Sequence, residues 1–270
     1  MSLSEPAGAF DFSGFDFSGK VVIVTGGTRG VGRAIAEGFL ATGASVVVCS
    51  RHVVAPENLP RVGDSRATAL VADVRDPDEA ALMVRDAHSL ASRIDILVNN
   101  AGGSPPHAAS DVPARLVTSI VSLNLLAPFW CSQAANTLMQ AQDGGGCILN
   151  IGSVSATRPS PGTAAYGAAK AGLLSLTRTL AVEWAPKVRV NCVVAGMLAT
   201  EAAGEHYGGD EGISRVAATV PLGRLGTPQD VAAACLFLAS PLSAYTSGAG
   251  LVIDGGGERP RFLSALEEPG

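Results

Sequence analysis

The feature that most restricts the fold of this chain is a strand, a glycine-rich turn and a helix that follow one another near its start. An apolar run, Val21–Thr25, leads directly into the turn, and a helical pattern continues to Thr42. The turn reads Gly26-Gly27-Thr28-Arg29-Gly30-Val31-Gly32. Glycines permit a tight turn, close packing of helix on strand and close approach of the backbone to an anion. The unit therefore predicts the first part of a parallel α/β sheet, with a candidate anion site at the start of the helix.

The alternation of strand and helix continues along the chain. Further strand candidates are rich in Val and Ile and apolar on both faces, as in a covered parallel sheet: Ser45–Cys49, Ala69–Val71, Ile94–Asn99, Cys147–Ile151, Val188–Val194 and Leu251–Ile253. Further helical patterns are Pro77–Ala91, Pro113–Met139, Ala164–Trp184 and Thr227–Ser240. Together they predict one doubly wound α/β domain of Rossmann type, with a parallel sheet of about seven strands and helices on both faces.

This domain is expected to span residues 19–257. Residues 1–18, with two short Phe-Asp-Phe-Ser-Gly repeats, are predicted to form a flexible leader, and residues 258–270 form a C-terminal tail. The stretch at about 195–218 shows no clear element. Because a long irregular segment inside a compact domain is usually disordered or functional, we predict a lid over the site there.

The glycine turn by itself has two explanations, a dinucleotide phosphate loop or an ordinary strand-to-helix turn. Its glycines, Gly26, Gly30 and Gly32, do not have the GxGxxG spacing. Other motifs are needed to decide between the two.

Those motifs follow in a fixed order. After the fourth strand comes Asn99-Asn100-Ala101-Gly102, the next helix carries Asn124, and the fifth strand is followed by Ser153 and then Tyr166-Gly167-Ala168-Ala169-Lys170. With the glycine turn, this combination resembles the short-chain dehydrogenase/reductase family from about Lys20 to Gly256. Each residue alone has an ordinary structural explanation, as a cap, a surface pair or a solvated side chain, but the joint pattern favours catalysis.

The chemistry gives each of these residue types a reason. Tyr166 and Lys170 share a helix face because they are four residues apart. A nearby ammonium favours the phenolate, so we expect Lys170 to lower the pKa of Tyr166 and make it the acid/base. The resemblance implies that Ser153 hydrogen-bonds the substrate oxygen, that Lys170 also holds the nicotinamide ribose, and that Asn124 places a water next to Lys170.

The end of the second strand bears on which nicotinamide cofactor is used. Relatives that prefer NAD carry an acidic residue there. This chain has Ser50 and Arg51, which leave room for a 2′-phosphate and a guanidinium to bind it, and Arg29 is a second candidate. We predict NADP(H), with NAD(H) as the weaker alternative; solvated arginines are the competing explanation. Asp73 and Val74 match the family's adenine-binding position, although Asp73 could instead cap the helix at Pro77.

One departure from the family pattern follows the sixth strand, where Ala195 replaces the usual proline and is expected to leave the backbone less fixed. Gly196 still allows close approach to the nicotinamide, and Thr200 matches a hydroxyl that contacts its carboxamide. The predicted cofactor-binding set is Gly26, Thr28, Arg29, Gly30, Val31, Gly32, Ser50, Arg51, Asp73, Val74, Asn100, Ala101, Gly102, Tyr166, Lys170, Gly196 and Thr200.

Composition restricts partners and location. The net charge of −5 disfavours nucleic acid and anionic membranes. No basic segment precedes an apolar one at the N-terminus, five scattered cysteines fit a reducing compartment, and no cluster has metal-ligand spacing, so we expect a cytoplasmic protein without a metal.

Only 16% of residues are charged, and the Ala164–Trp184 helix is apolar on more than one face. Both observations predict a homo-oligomer, a tetramer if the resemblance extends that far.

The predicted reaction is NADP(H)-dependent hydride transfer to a small ketone, or from the corresponding alcohol. A β-ketoacyl carrier-protein (or acyl-CoA) reductase is the alternative, but Met139–Cys147 carries no base to steer an acidic carrier protein. A catalytically silent NADP-binding protein is a further alternative. The substrate pocket is expected between Ser104–Ser110, Ser155–Arg158 and Met197–Gly208. Three residues there, His107, Arg158 and His206, either bind a substrate carboxylate or are solvated.

Overall fold

The apolar runs of the sequence form strands of a parallel sheet. In this computed structural model, residues 11–12, 14–201, 203–258 and 260 are described, with residues 205 and 206 described by their backbone alone. In chain order the strands are β1 (Val21–Thr25), β2 (Ser45–Ser50), β3 (Arg61–Val62), β4 (Ser65–Arg66), β5 (Thr68–Val71), β6 (Ile96–Asn99), β7 (Gly146–Ser153), β8 (Val188–Ala195) and β9 (Gly250–Ile253).

Helices connect these strands. They are α1 (Gly30–Ala41), α2 (Pro77–Ala91), α3 (Ala114–Val121), α4 (Ala127–Ala141), α5 (Ala164–Glu183), α6 (Ala203–Tyr207), α7 (Gly209–Ala217) and α8 (Pro228–Ala239). A π turn, Ser122–Leu126, joins α3 to α4, and short 3₁₀ turns lie at Pro56–Asn58, Val154–Ala156 and Pro241–Ser243.

Seven strands form one sheet in the order β5-β2-β1-β6-β7-β8-β9, and all pairs are parallel. The chain winds outward from β1 in one direction and then from β6 in the other. The strand order therefore reverses between β1 and β6, and ligands of open parallel sheets bind at the carboxyl ends of the strands beside such a switch point. The predicted doubly wound fold with about seven strands is confirmed.

Both faces of the sheet are covered. One face packs against α1 and α8, with Ile35, Phe39 and Leu236 in its core. The other packs against α2, α4 and α5, with Met83 and Met139 among its buried residues. Strands buried on both faces must be apolar throughout, which explains why their sequences read as continuous runs of Val, Ile and Leu.

The first core extends into the segment that we predicted to be a flexible leader. Phe17 is 4% exposed and its ring packs edge-on against Phe39, with the ring centroids 5.1 Å apart. Phe12 and Phe15 pack against the same core. Of the predicted leader, residues 1–10 and 13 lie outside the described residues, whereas the part from residue 14 onwards belongs to the packed domain. That part of the prediction was wrong because the phenylalanines of the repeats bury apolar surface.

Three further expectations need correction. The stretch 195–218 is not irregular, because it contains α6 and α7. The predicted helix Pro113–Met139 is interrupted by the π turn, which places Asn124 at a functional position. Ala195 is not loosened by the lost proline, because it is the last residue of β8 and pairs with Ser153 on one side and Ile253 on the other.

One helical stretch, Ala114–Ala141, is long and apolar enough to cross a membrane by length and composition. Ala127, Cys131 and Ala135 on its inner face are buried in the core against the sheet. This stretch therefore packs one face against the sheet, and apolar side chains on its outer face are partly exposed.

The amino ends of β1 and β6 are joined by a buried carboxylate. Asp95 accepts a hydrogen bond from the Val21 backbone N–H at 2.9 Å and ion-pairs with Lys20 and Arg93. Burial raises the pKa of Asp95, but the bonds from Arg93, Val21 and Lys20 together lower it below its ordinary value. This cluster lies at the end of the sheet opposite the predicted site.

Candidate active site

The glycine turn between β1 and α1 forms an open cradle. Gly26 and Gly30 have φ of 63° and 52°, a region that glycine adopts readily. Arg29 precedes α1 in an extended conformation without a capping side-chain bond, and the first turn of α1 contains no acidic residue. An uncapped helix start attracts an anion such as a pyrophosphate through its free N–H groups and the helix dipole. Thr28 and Val31, at either side of this position, are partly exposed.

Asn100 attaches this cradle to the end of β6. Its Nδ2 donates to the backbone oxygens of Thr25 and Gly26 at 2.9 and 3.2 Å, and Thr25 Oγ1 accepts from the N–H groups of Asn100 and Ala101 at 3.0 Å each. A Cβ on Gly32 would lie 2.4 Å from Asn100 Nδ2, so this position has no room for a side chain. Hydrogen bonds thus connect the two sequence motifs, 74 to 76 residues apart, across the switch point.

The catalytic candidates lie at the carboxyl end of β7 and on α5. Ser153 ends β7, and its Oγ accepts from the Ser155 N–H at 3.2 Å. The Tyr166 side chain lies near the Ser153 hydroxyl, which acts to lower the Tyr166 pKa. One turn further along α5, Lys170 is 3% exposed, and its Nζ lies 5.6 Å from the centroid of the Tyr166 ring. Lys170 Nζ donates to Ile151 O at 2.7 Å.

Asn124 completes the group from the π turn. It is fully buried; its Oδ1 accepts from the Gly103 N–H at 3.0 Å, and its Nδ2 donates to Gly103 O and Ile120 O at 2.9 Å each. A Cβ on Gly102 would lie 2.8 Å from Asn124 Oδ1 and 3.2 Å from Lys170 Nζ. Gly102 thus adjoins both polar groups, and a side chain at position 102 would displace them.

The electrostatics of the pair differ from the sequence prediction. Burial raises the pKa of Tyr166, and the hydrogen bond to Ser153 opposes this only in part. Burial lowers the pKa of Lys170 to about 8, against a smaller opposite effect of Cys192. The expectation that Lys170 lowers the Tyr166 pKa was therefore wrong for this structure, because loss of solvation outweighs the other influences. A protonated Tyr166 is suited to donate a proton.

The adenosine end of the predicted site lies beside β2 and β5. Arg51 is exposed, while Ser50 is partly exposed and its Oγ donates to His52 O. Hydrogen bonds from Arg75 lower the pKa of Asp73, and the charge of Arg51 adds to this effect. Arg51 is therefore close to the predicted adenine position, where Val74 is buried.

Asp73 does not cap α2. The cap is Asp76, which accepts from the N–H groups of Asp78 and Glu79, so that alternative was wrong. Asp73 is instead held by Arg75 Nε at 2.9 and 3.1 Å, and Arg75 Nη1 donates to Ser119 Oγ at 3.2 Å. Arg75 was not among the predicted site residues; the only signal for it in the sequence is a base directly after the Asp-Val pair.

Gly196 and Thr200 lie after β8. The Gly196 N–H donates to Ile253 O at 3.1 Å, and a Cβ on Gly196 would come within 2.7 Å of Asp254 Cα. Thr200 is partly exposed, and its carbonyl accepts from the Ala203 N–H at 2.8 Å where α6 begins. Glycine at 196 thus lets the segments after β8 and β9 approach closely. Whether Thr200 contacts a carboxamide stays a prediction.

Two of the three substrate-loop residues have charged partners. His107 Nδ1 lies 3.3 Å from Asp111 Oδ1, and the His107 N–H donates to Gly162 O at 2.7 Å. Arg158 Nη1 pairs with Glu258 Oε1. The side chain of His206 lies outside the described residues. Within the described part of the chain, no group of three His, Cys, Asp or Glu residues could hold a metal ion.

The chain is similar to known oxidoreductases over most of its length. A family model described as "Enoyl-(Acyl carrier protein) reductase" matches residues 26–258. An L-rhamnose 1-dehydrogenase (NAD(P)(+)) of Azotobacter vinelandii is 37% identical over 88% of this chain and 96% of the relative. A galactitol 2-dehydrogenase (L-tagatose-forming) of Cereibacter sphaeroides is 36% identical over 90% and 96%. A short-chain dehydrogenase/reductase of Serratia marcescens, solved as a double mutant, has a TM-score of 0.80 and 30% identity over 88% and 98% of the two chains.

Proposed function

This chain belongs to the short-chain dehydrogenase/reductase family, and we propose that it is an NADP(H)-dependent member that interconverts a small carbonyl compound and the corresponding secondary alcohol. Oxidoreductase chemistry on alcohols and carbonyls follows from the family and its relatives. One observation supports the proposed reaction most directly. Four side chains converge at the carboxyl ends of β6 and β7: Ser153, Tyr166, Lys170 and Asn124.

The residues present fit a dinucleotide. The cradle of Gly26, Gly30 and Gly32 and the uncapped start of α1 would hold the pyrophosphate, and Lys170 and Gly196 would face the nicotinamide ribose and ring. When bound, the nicotinamide supplies the hydride in reduction and accepts it in oxidation.

The protein's own part is to hold the substrate oxygen and move a proton. The hydroxyl of Ser153 is near enough to Tyr166 to act on its pKa, so both hydroxyls can reach one substrate oxygen. In reduction, Tyr166 Oη gives its proton to the carbonyl oxygen, and in oxidation it takes the proton from the hydroxyl. Lys170, with a pKa of about 8, can exchange a proton near neutral pH and thereby restore Tyr166. Asn124 adjoins Gly102, as Lys170 does, and therefore provides a polar group near the Lys170 amine.

The preference for NADP(H) is supported by the end of β2. Arg51 is exposed and near the adenine position, Arg29 is exposed at the start of α1, and no acidic residue follows Ser50 directly. A guanidinium forms charge-assisted hydrogen bonds with a phosphate, whereas an acidic residue would repel it. The name of the L-rhamnose relative includes both cofactors, as NAD(P)(+).

A small substrate is favoured over a carrier-protein thioester. The stretch Met139–Cys147 carries no base; Lys187 Nζ donates to Gln140 O at 2.7 Å and Gln142 O at 3.2 Å, and Arg189 pairs with Cys147 in the sheet. These bases outside the stretch give little steering for an acidic protein. The named relatives act on a sugar and a sugar alcohol.

Assembly as a cytoplasmic homotetramer is part of the same proposal. Val182 on α5 is 79% exposed, and the Ala114–Ala141 stretch has partly exposed apolar side chains. A second apolar set, Phe237, Leu242 and Val252, is exposed on α8, on the 3₁₀ turn after it and on β9. Two separate apolar patches can support two different interfaces, as a dimer of dimers requires. The five cysteines are free and buried, as expected of a reducing compartment.

The proposal is tested by following NADPH and NADH oxidation with a panel of small ketones, ketoses and aldehydes, for the natural protein and for Tyr166→Phe. Replacement of the hydroxyl removes the proton donor and leaves the ring, so turnover should fall about 1000-fold while NADPH still binds. A variant that retains more than a tenth of the turnover would contradict the assigned role of Tyr166.

A further inference from the structure

A small cavity is lined in part by the residues that follow Ser153. Its volume is about 80 Å³, and it lies where the segments after β7, β8 and β9 meet. It is lined by Val154, Thr157, Arg158, Gly196, Met197, Asp254, Gly257 and Glu258. Val154 directly follows Ser153 and Gly196 directly follows β8, so this distal cavity, as we call it, begins one residue along the chain from Ser153 and from the end of β8.

Two distant parts of the chain supply charge to the distal cavity, and a third lies near them. Arg158 Nη1 forms an ion pair with Glu258 Oε1, and the two side chains are 39% and 41% exposed. Asp254, between β9 and Glu258, lines the same cavity and accepts from the Gly256 N–H at 3.1 Å. Tyr207 of α6 is near enough for the charge of Arg158 to act on its hydroxyl. The lid, the loop after Ser153 and the C-terminal segment therefore meet at Arg158.

The charges in this cavity do not favour an anionic substrate. The single positive charge of Arg158 is matched by Glu258, and Asp254 leaves an excess of one negative charge. A substrate carboxylate would have to displace Glu258 from Arg158 and would be repelled by Asp254. A hydroxyl, in contrast, can donate to either carboxylate and accept from the guanidinium without breaking the pair.

We propose that Arg158 and Glu258 are specificity-determining residues, which together with Asp254 select a neutral, polyhydroxylated carbonyl compound and exclude one that carries a carboxylate. This inference rests on the proposed function, because it assigns the substrate class of that same site. Glu258 has a defined role in it: it holds the charge of Arg158 so that the cavity recognises hydroxyls.

Three related carbonyl compounds test the inference. Erythrulose has a hydroxyl on every carbon except its carbonyl carbon, butanone has the same carbon skeleton without hydroxyls, and levulinate is butanone with a carboxylate at the position of the terminal hydroxyl of erythrulose. The measured quantities are kcat/KM with NADPH for each compound. Dissociation constants for erythrulose and levulinate are measured in parallel with Tyr166→Phe loaded with NADP⁺, because this reading does not need turnover.

The natural protein should prefer erythrulose to both butanone and levulinate by about tenfold or more, since each charge-assisted bond to a hydroxyl contributes about that factor. Glu258→Gln should lower the erythrulose-to-levulinate ratio about tenfold, because it leaves Arg158 free to bind the carboxylate. The double variant Arg158→Leu, Glu258→Gln should lose that gain for levulinate. Glu37→Gln breaks an ion pair of similar exposure on α1, Arg33–Glu37, and should leave the ratio unchanged.

The outcomes separate the two proposals. If the three compounds are reduced but Glu258→Gln leaves the ratio unchanged, or if the natural protein prefers levulinate, the specificity inference is wrong and the proposed function stands. If no compound of the panel is reduced but the dissociation constants show the expected ratio and its loss in Glu258→Gln, the cavity is assigned correctly and the proposed reaction is wrong.

Discussion

Replacement of Lys170 by methionine should make the protein inactive but more stable at neutral pH. Lys170 is 3% exposed, and burial lowers its pKa from 10.5 to about 8. At pH 7 the amine is still protonated in the folded protein, so folding has to take a charge out of water. Methionine has a similar length and no charge, and it fills the same space. The lysine that the proposed function requires at position 170 thus makes the folded protein less stable.

The expected change in the free energy of unfolding follows from the shift in the pKa of Lys170. A difference of 2.5 between 10.5 and 8 corresponds to a cost of about 3 kcal/mol at pH 7, where both states bind the proton. Methionine also leaves Ile151 O without the bond from Lys170 Nζ, which costs about 1–2 kcal/mol. The variant should therefore have a free energy of unfolding about 1–2 kcal/mol larger than that of the natural protein at pH 7.

The difference should depend on pH in a defined direction. Below pH 8 the cost of the buried charge is fully present. Between pH 8 and 10.5 the folded protein releases the proton while the unfolded chain keeps it, so the natural protein gains stability relative to the variant. Above that window only the lost bond to Ile151 remains, and the variant should become the less stable protein.

The difference in stability is measured by urea unfolding of the natural protein and of Lys170→Met at the same protein concentration. The measurements run from pH 7 to above 10.5. Lys187→Met is the matched control, because Lys187 is exposed and also donates to carbonyl oxygens. It should show no gain in stability at pH 7. A Lys170→Met protein that is less stable at pH 7, or a difference that does not change with pH, would refute the reasoning.

Four further predictions follow from single contacts. Arg51→Ala should lower the preference for NADPH over NADH about tenfold, measured from kcat/KM for the two cofactors, because it removes the base beside Asp73. Gly102→Ala should lower turnover about 10- to 100-fold, because its Cβ would lie 2.8 Å from Asn124 Oδ1. Asp95→Asn should lower the free energy of unfolding by about 2–4 kcal/mol at pH 7, and since the pKa of Asp95 is lowered in the folded protein, the loss should shrink as the pH falls below about 4. Val182→Asp should dissociate the oligomer, as measured by light scattering, because it places a charge on the apolar surface around Val182, which is 79% exposed in the single chain.

The first three of these have a control variant, and each of the four has a contrary outcome. Arg85→Ala on the exposed face of α2 should not change the cofactor preference, and Gly144→Ala has nothing within 4 Å of its Cβ and should keep its turnover. Asp86→Asn, exposed on α2, should not change stability. Unchanged preference, turnover or stability in the tested variants would show that the contact does not have the role assigned to it. A natural protein that is already a monomer would refute the assembly proposal.

Most of the fold was predictable from the sequence because its signals are local. Runs of Val and Ile between helical patterns indicate covered parallel strands, and each of the seven strands of the sheet overlaps a predicted run. The hairpin of β3 and β4 was missed, since strands of two residues have no periodicity. The order of the strands was not predictable, because it depends on which connections pack on which face.

Some features of the candidate site were likewise predictable from local sequence, and others were not. Tyr166 and Lys170 share a face because the spacing of a helix requires it, and the glycines of the turn are needed for backbone angles that are a property of each residue. Those features were determined by the sequence alone. The helices at 195–218 and the burial of Phe17 were not, because they depend on contacts with parts of the chain that are distant in sequence.

Only the tertiary structure decided which of these residues meet, and in which state. Asn124 and Lys170 come together at Gly102 because a π turn, helix α5 and the segment after β6 converge, and Arg158 meets Glu258 across 100 positions of sequence. The pKa of Tyr166 is raised although a lysine lies one turn away. Loss of solvation depends on how much of the whole fold surrounds a group, and no local pattern contains that quantity. The sequence therefore determined the chemical groups and their local geometry, whereas the packing of distant segments determined their charge and their partners.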